Sequence, residues 1–402
     1  MKGHGGPDAS PLKDRESFAS VLGPLLFLAG IFFLNFLARI ILAPLMPAIE
    51  GDLNLSHGEA GSFFLFISAG YFITLICSGF FSRHIRHSGA ITLSALAVGV
   101  ALWGICLCSS LTAIRTGLFV LGMAAGIYLP SGIAAITSLA SSRHWGKAIA
   151  VHELAPNLSF VAAPLICEGL LLFFSWRGIL SVIGFASVAT AIAFALFGKG
   201  GDGRGEAPSF SALKVFFSKP SFWIMVLLFS LGVAGSLGVY TMLPLYLVNE
   251  QGIDRNWANT LIAVSRLSGL GVAFFSGWVT DRLGPKRTLA WVFLLTGATT
   301  MLLGATKGTT VLFFIFLQPL MAVCFFPPAF AALALIATPD TRNVVVSLTV
   351  PMGFMLGGGA VPIGIGLAGD LGSFAWGIAV LGGLIISGTA LSLCLSFDRH
   401  KE

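Results

Sequence analysis

Charge is scarce in this sequence. Only 10% of its 402 residues are Asp, Glu, Lys or Arg, while 56% are hydrophobic and the mean hydropathy is +0.92. A soluble domain carries about 25% charged residues. So little polar surface cannot cover a water-soluble particle, which excludes that class and makes lipid the solvent. Reactive cysteine patterns are also missing. Cys77, Cys106, Cys108, Cys167, Cys324 and Cys394 all lie in apolar runs, with no CxxC pair and no Cys/His cluster at metal spacing. Inert thiols are expected, and no metal. No phosphate-cradling glycine loop stands between a strand and a helix, which argues against an ATP-driven pump. Gly357-Gly358-Gly359 sits inside an apolar run and reads as helix packing. No Ser/His/Asp set stands out in the loops. A carrier is expected, not an enzyme, and no cofactor. Residues 1–17 are polar, contain Asp14 and Glu16, and lead into no cleavable apolar segment. A retained signal anchor is expected there, not a signal peptide.

What the chain does have is long apolar runs. A spanning helix needs roughly 20 apolar residues. On that rule twelve segments are predicted, near 21–47, 59–82, 88–109, 112–140, 146–173, 176–198, 221–249, 256–281, 287–306, 309–337, 343–368 and 373–397. The expected fold is all-α integral membrane: twelve transmembrane helices as two six-helix pseudo-symmetric bundles around a central cavity. The expected division is a tail at 1–20, a first bundle at 21–198, a linker at 199–220, a second bundle at 221–397 and a tail at 398–402. The Gly-rich, charged stretch Gly198-Lys199-Gly200-Gly201-Asp202-Gly203-Arg204 marks that linker. Of the 23 basic residues, Arg115, Arg177, Arg255 and Lys307 fall on one side, Arg39 and Arg266 fall inside helices, and the other 17 share the opposite side. That asymmetry predicts a cytoplasmic (inner) membrane protein with both termini cytoplasmic. It also accounts for the net charge of +6 without nucleic acid. A monomer in the lipid bilayer is expected.

The halves repeat. Pro47 and Pro244 are 197 residues apart, as are Pro130 and Pro327. Gly79 and Gly277 are 198 apart, and Arg143 and Arg342 are 199 apart. Parallel repeats of this kind build one large class of secondary transporters.

One turn carries a motif: Gly277, Asp281, Arg282, Gly284, Lys286 and Arg287. With it the chain resembles the major facilitator superfamily over nearly its whole length, since that family's turn between its second and third helices reads roughly Gly-x-x-x-Asp-Arg-x-Gly-Arg-Arg. The resemblance implies an inner gate latched by charge pairing. In the first half Gly79 is kept, but Arg83 replaces the Asp and Arg86 the second Gly. Asp281 should therefore carry the stronger latch. It sits near a helix C-terminus, which is unfavourable to the dipole, and should seek a cation on a neighbouring helix. Two family features are partial. Leu118 stands where an Arg precedes Gly122, and Ala163-Pro164 replaces Gly-Pro.

The charges inside helices are the candidate site. Asn35-Phe36-Leu37-Ala38-Arg39, with Pro47 eight residues on, resembles the organic anion (anion:cation symporter-like) branch of that family. A bilayer Arg costs about 2.5–3.5 kcal/mol and normally faces a wet cavity or a partner. Guanidinium also matches carboxylate in a bidentate fork. Arg39 and Arg266 are thus expected to bind substrate, with Tyr71, Tyr128 and Asn157 as further contacts. The plainer alternatives are a snorkelling Arg39 and an Arg266 paired with Glu153. His152 and Glu153 are the candidates for proton coupling. They lie about 100° apart on one helix, so one of them is expected to face the cavity. Glu168 reads as interfacial. The branch's coupling carboxylates are implied at positions that here read Ala38 and Ala125, so coupling by that scheme is in doubt. The leading expectation is import of a small organic anion, a carboxylate, by alternating access. The alternatives are a multidrug or lipid efflux carrier with structural arginines, and an anion exchanger without proton coupling.

Overall fold

The structure, a computed structural model, describes residues 18–204, 217, 219–336 and 342–397. The expected 398–402 tail, nearly all of the 1–20 tail and most of the 199–220 linker lie outside these. Among the described residues the chain is helical, with no strand. In the first half α1 is Phe18–Leu53, α2 His57–Ser82, α3 His87–Cys106, α4 Leu111–Leu139, α5 Trp145–Leu171 and α6 Trp176–Phe197. In the second half α7 is Pro220–Glu250, α8 Arg255–Leu267 continuing as Gly269–Leu283, α9 Pro285–Ala305, α10 Thr309–Ile336, α11 Val345–Asp370 and α12 Phe374–Leu393. Eleven of them are long and apolar enough to cross a bilayer. The remaining one, α8, is interrupted at Ser268 and carries Asn256, Asn259 and Arg266 in its first segment.

Proline explains several interruptions. Pro130 cannot donate to the Gly126 carbonyl, and α4 turns at Ile127. Pro327 likewise leaves Val323 without a donor, and α10 breaks at Cys324–Phe325. These are the two prolines of the repeat. In α1 the break falls at Ile41, three residues before Pro44. The second half adds wide π turns at Ala234–Gly238 and Tyr246–Glu250 in α7 and at Phe354–Ala360 in α11. Such turns accommodate an extra residue and concentrate at functional sites.

The repeat also organises the packing. A Cβ on Gly99 of α3 would stand 2.6 Å from the Gly184 carbonyl oxygen of α6. A Cβ on Gly297 of α9 would stand 2.7 Å from the Gly382 carbonyl oxygen of α12. Both members of the pair recur 198 residues later. Each contact needs glycine because backbone touches backbone, as in membrane helix pairs generally. The outer surface suits lipid. Phe173, Phe185, Phe197 and Trp376 are 67–78% exposed, which water would penalise.

Candidate functional site

Consecutive helices run antiparallel, so the bundle has a terminal end and a remote end. The remote end holds the α1–α2, α5–α6, α7–α8 and α11–α12 turns. There the two lobes are bound together by polar side chains. Glu168 of α5 accepts from Arg255 Nε at 3.1 Å and Nη2 at 3.2 Å, and from Asn259 Nδ2 at 2.6 Å. Asn259 also donates to the Pro44 carbonyl at 3.3 Å. Asp370, closing α11, accepts from the backbone amides of His57 at 2.7 Å and Gly58 at 2.9 Å. It thereby caps a helix of the opposite lobe and complements its dipole. His57 Nδ1 meets both oxygens of Glu50, at 2.9 and 3.1 Å, and Asn249 reaches Glu50 across the lobes at 3.5 Å. No sequence pattern pairs these partners. Glu168 is not simply interfacial: its side chain is 11% exposed and fully engaged.

The side-chain links described here between the lobes lie at this remote end or at mid-depth. At the terminal end the motif turn stands apart. Gly284 turns the chain between α8 and α9 at φ +79°. Lys286 donates to the Leu395 carbonyl at 2.8 Å, and Arg282 lies 4.2 Å over the Trp278 ring. Gly277 and Arg287 complete the turn. Asp281 is exposed and, among the described residues, makes no hydrogen bond or ion pair. The cationic partner expected for it from a neighbouring helix is not made in this arrangement, in which the lobes are joined at the opposite end.

At mid-depth lies a small cavity lined from both lobes: Phe36, Arg39, Ile40, Phe64, Ile67, Ser68 and Tyr71 on one side, Leu237, Thr241, Phe354 and Gly358 on the other. The Arg39 guanidinium sits 4.3 Å from the Tyr71 ring centre and 4.8 Å from that of Phe36. Arg39 is 8% exposed, its Nε has no hydrogen-bond partner, and no carboxylate pairs with it among the described residues. Arg266 is held in the same manner. Its guanidinium lies 5.0 Å from Phe160 of the opposite lobe and 4.9 Å from Tyr240. Its Nη2 donates to the Ser236 carbonyl at 3.2 Å, and its Nε is unpartnered. It does not pair with Glu153, and it does not line the cavity. Phe36 and Phe160 touch at 5.2 Å between ring centres. The links of 4.8, 5.2 and 5.0 Å place the two guanidinium carbons within 15 Å of each other.

The remaining candidates fall elsewhere. Tyr128 is fully buried, and its hydroxyl donates to the Leu28 carbonyl at 2.8 Å. Its oxygen also lies 3.0 Å from His152 Nε2. When the hydroxyl hydrogen points to the Leu28 carbonyl, His152 Nε2–H is the donor to Tyr128. His152 stacks on Phe32 at 4.3 Å with an interplanar angle of 3°. Its Nδ1 is 3.1 Å from Glu153 Oε1. The His152 side chain is 1% exposed and that of Glu153 49%, so Glu153 is the member open to its surroundings. Asn157 donates to the Glu153 carbonyl at 2.9 Å, within its own helix. Ala38 and Ala125 are buried.

Known proteins place this arrangement. "Protein TsgA homolog" of Buchnera aphidicola is 23% identical over 245 residues, 59% of this chain and 61% of that protein. "Protein TsgA" of Escherichia coli is 25% identical over 234 residues, 56% of this chain and 57% of that protein. The chain thus spans about three-fifths of the length of the curated relatives it matches. Among solved structures, a bacterial homolog of the human lysosomal transporter Spinster, inward-facing and unoccupied, aligns with TM-score 0.75 at 16% identity, covering 94% of this chain and 96% of that one. A D-xylose–proton symporter aligns with TM-score 0.76 at 14% identity, covering 96% and 100%. These share the two-lobed twelve-helix fold. The family model of the Major Facilitator Superfamily matches residues 28–314. With repeat, fold and family model in agreement, the chain belongs to the Major Facilitator Superfamily, a family of multi-pass membrane transporters rather than enzymes.

Proposed function

We propose that this protein is a secondary transporter that moves a small organic anion, a carboxylate, across the cytoplasmic membrane by alternating access, with Arg39 and Arg266 as its anion-binding groups. The observation that carries the reading is the pair of uncompensated guanidiniums. One lies in each lobe, each has a buried Nε without a partner, and among the described residues neither pairs with a carboxylate. A buried cation without a counterion is expensive. An arriving anion supplies the missing partner, which a cationic drug would not. This observation weighs against the efflux reading with structural arginines. Tyr71 holds the Arg39 head in place. Asn157 and Tyr128, both committed to backbone partners, are weaker candidates for direct contact.

His152 and Glu153 form the proton site in this reading. The exposed Glu153 exchanges the proton and the buried His152, braced by Tyr128 and Phe32, retains it. Buried alanines at 38 and 125 leave this the one proton site the reading has. They are also the observation that favours the exchanger as second reading. The lobes are taken as 21–198 and 221–397, joined by 199–220, with both termini cytoplasmic, as the basic-residue asymmetry supports. The motif turn at Asp281 would latch the terminal end in the alternate state.

The test is uptake and binding of carboxylates by the purified protein in proteoliposomes. Arg39→Ala and Arg266→Ala are each expected to lower anion affinity at least tenfold, as loss of a charge-assisted pair would. Anion transport that survives both substitutions would sink the reading. Proton coupling is checked by pH-dye quenching on anion addition, which His152→Ala should abolish.

A further inference from the structure

Resting on the anion-binding reading above, we propose that the cargo is a monocarboxylate with an apolar ring as its body, and not a hydroxy acid or sugar acid. The cavity walls carry this assignment. Apart from Arg39, three of the residues lining the cavity can form side-chain hydrogen bonds: Ser68, Tyr71 and Thr241. The Thr241 hydroxyl already donates to the Gly238 carbonyl at 2.9 Å. The Tyr71 ring is occupied by the Arg39 head. That leaves the Thr241 hydroxyl able only to accept, beside the hydroxyls of Ser68 and Tyr71. The rest of the wall is Phe36, Ile40, Phe64, Ile67, Leu237 and Phe354, with Gly358 adding backbone alone.

Such a wall discriminates between bodies that carry the same charge. A hydroxyl brought in from water and left without a partner weakens binding by about tenfold or more. A sugar acid brings several and finds three hydroxyls at most, one of them able only to accept. A ring brings none and meets aromatic and branched surfaces on both sides, where ring pairs add attraction beyond area burial. The guanidinium sets the orientation. All its N–H groups lie in one plane, so a carboxylate docks edge-on and in that plane. In an aryl carboxylate the ring continues the plane of the carboxylate, away from Arg39 and between the lobes. The aromatic series Phe36, Phe160 and Tyr240 continues beyond the cavity towards Arg266.

The experiment is a competition series on the full chain in detergent or liposomes, using benzoate, 2-naphthoate, gluconate and glucuronate at matched ionic strength. 2-Naphthoate is expected to bind at least tenfold more tightly than glucuronate, and binding should fall at least tenfold in Arg39→Ala. Ile67→Thr with Leu237→Asn adds hydroxyl partners to the wall and should narrow the preference by several-fold. Phe354→Leu, a milder change, should weaken 2-naphthoate and leave glucuronate unchanged. Each variant's thermal unfolding is followed to confirm a folded sample. If glucuronate binds as tightly as 2-naphthoate in an Arg39-dependent way, the ring-bodied cargo is wrong and the anion site stands. If no anion binds, or if binding survives Arg39→Ala, the anion-binding reading itself fails, and this inference with it.

Discussion

Glu168→Gln should open the remote end. The Glu168 carboxylate joins the lobes through three hydrogen bonds, two from Arg255 and one from Asn259. Gln keeps the shape and can still accept from Asn259. It removes the charge that Arg255 needs. Breaking a fully buried ion pair costs about 3–5 kcal/mol. Here Glu168 is 11% exposed but Arg255 is 39% exposed, so solvent compensates part of the loss, as it does for surface pairs worth about 0–1 kcal/mol. About 2 kcal/mol is the reasonable middle. At about 1.4 kcal/mol per decade that shifts the ratio of closed to open remote ends by roughly 30-fold. The shift counts in full, because the pair exists only when the lobes meet at this end. Spin labels introduced through Leu172→Cys and Leu371→Cys, in a background without the six native cysteines, report the distance between lobes. Both positions are exposed, at 76% and 89%. The long-distance population should rise in Glu168→Gln and fall back in the charge-swapped Glu168→Arg with Arg255→Glu. An unchanged distance distribution in Glu168→Gln would show that the pair is not what closes this end.

Two more substitutions probe other parts of the same reasoning. Gly61→Leu should prevent closure sterically, since a Cβ there already stands 2.5 Å from the Pro362 carbonyl oxygen of α11; the same label pair should report a single long distance, and a retained short distance would refute it. Tyr128→Phe strands the His152 Nε2–H in a buried site at a cost of about 1–3 kcal/mol; thermal unfolding should occur several degrees lower, and proton uptake measured by pH dye should change its midpoint, whereas an unaltered midpoint would remove Tyr128 from the proton site.

The helices were legible because their signal is local. Twenty apolar residues in a row are visible without knowing any contact, and the repeat offset of 197–199 residues is visible without a fold. Arg39 and Arg266 stood out for the same reason: a charge inside an apolar run is conspicuous wherever its partner lies. The remote-end latch had no such signal. His57 and Asp370 are 313 residues apart, Asn249 and Glu50 are 199 apart, and Glu168 and Arg255 are 87 apart. Each partner alone looks like an ordinary polar residue at a helix end. One clue was available. Glu168 lies three residues before the end of the apolar helix Trp145–Leu171, and a carboxylate within a span is by default functional and paired. The geometry of His152 was also beyond reach, because the direction of its proton depends on the Leu28 carbonyl, which no sequence pattern marks.

The latch and the cavity together bear on how cargo could move the lobes. A ligand shifts a conformational equilibrium only by its differential affinity for the two states. A bare anion held by Arg39 alone would touch one lobe, and would bind alike whether the lobes met or parted. A body that reaches Leu237, Phe354 and Gly358 touches the other lobe as well, and loses those contacts when the walls separate. The charge would then supply recognition, while the body supplies the coupling between binding and closure. On this reasoning, shortening the body should reduce transport more than it reduces binding, since each ring face lost removes contact to the moving wall while the Arg39 pair remains. The remote-end pairs set how much coupling is needed. With a link of about 2 kcal/mol at Glu168, a cargo must recover a comparable amount at the cavity before the lobes exchange one closed end for the other.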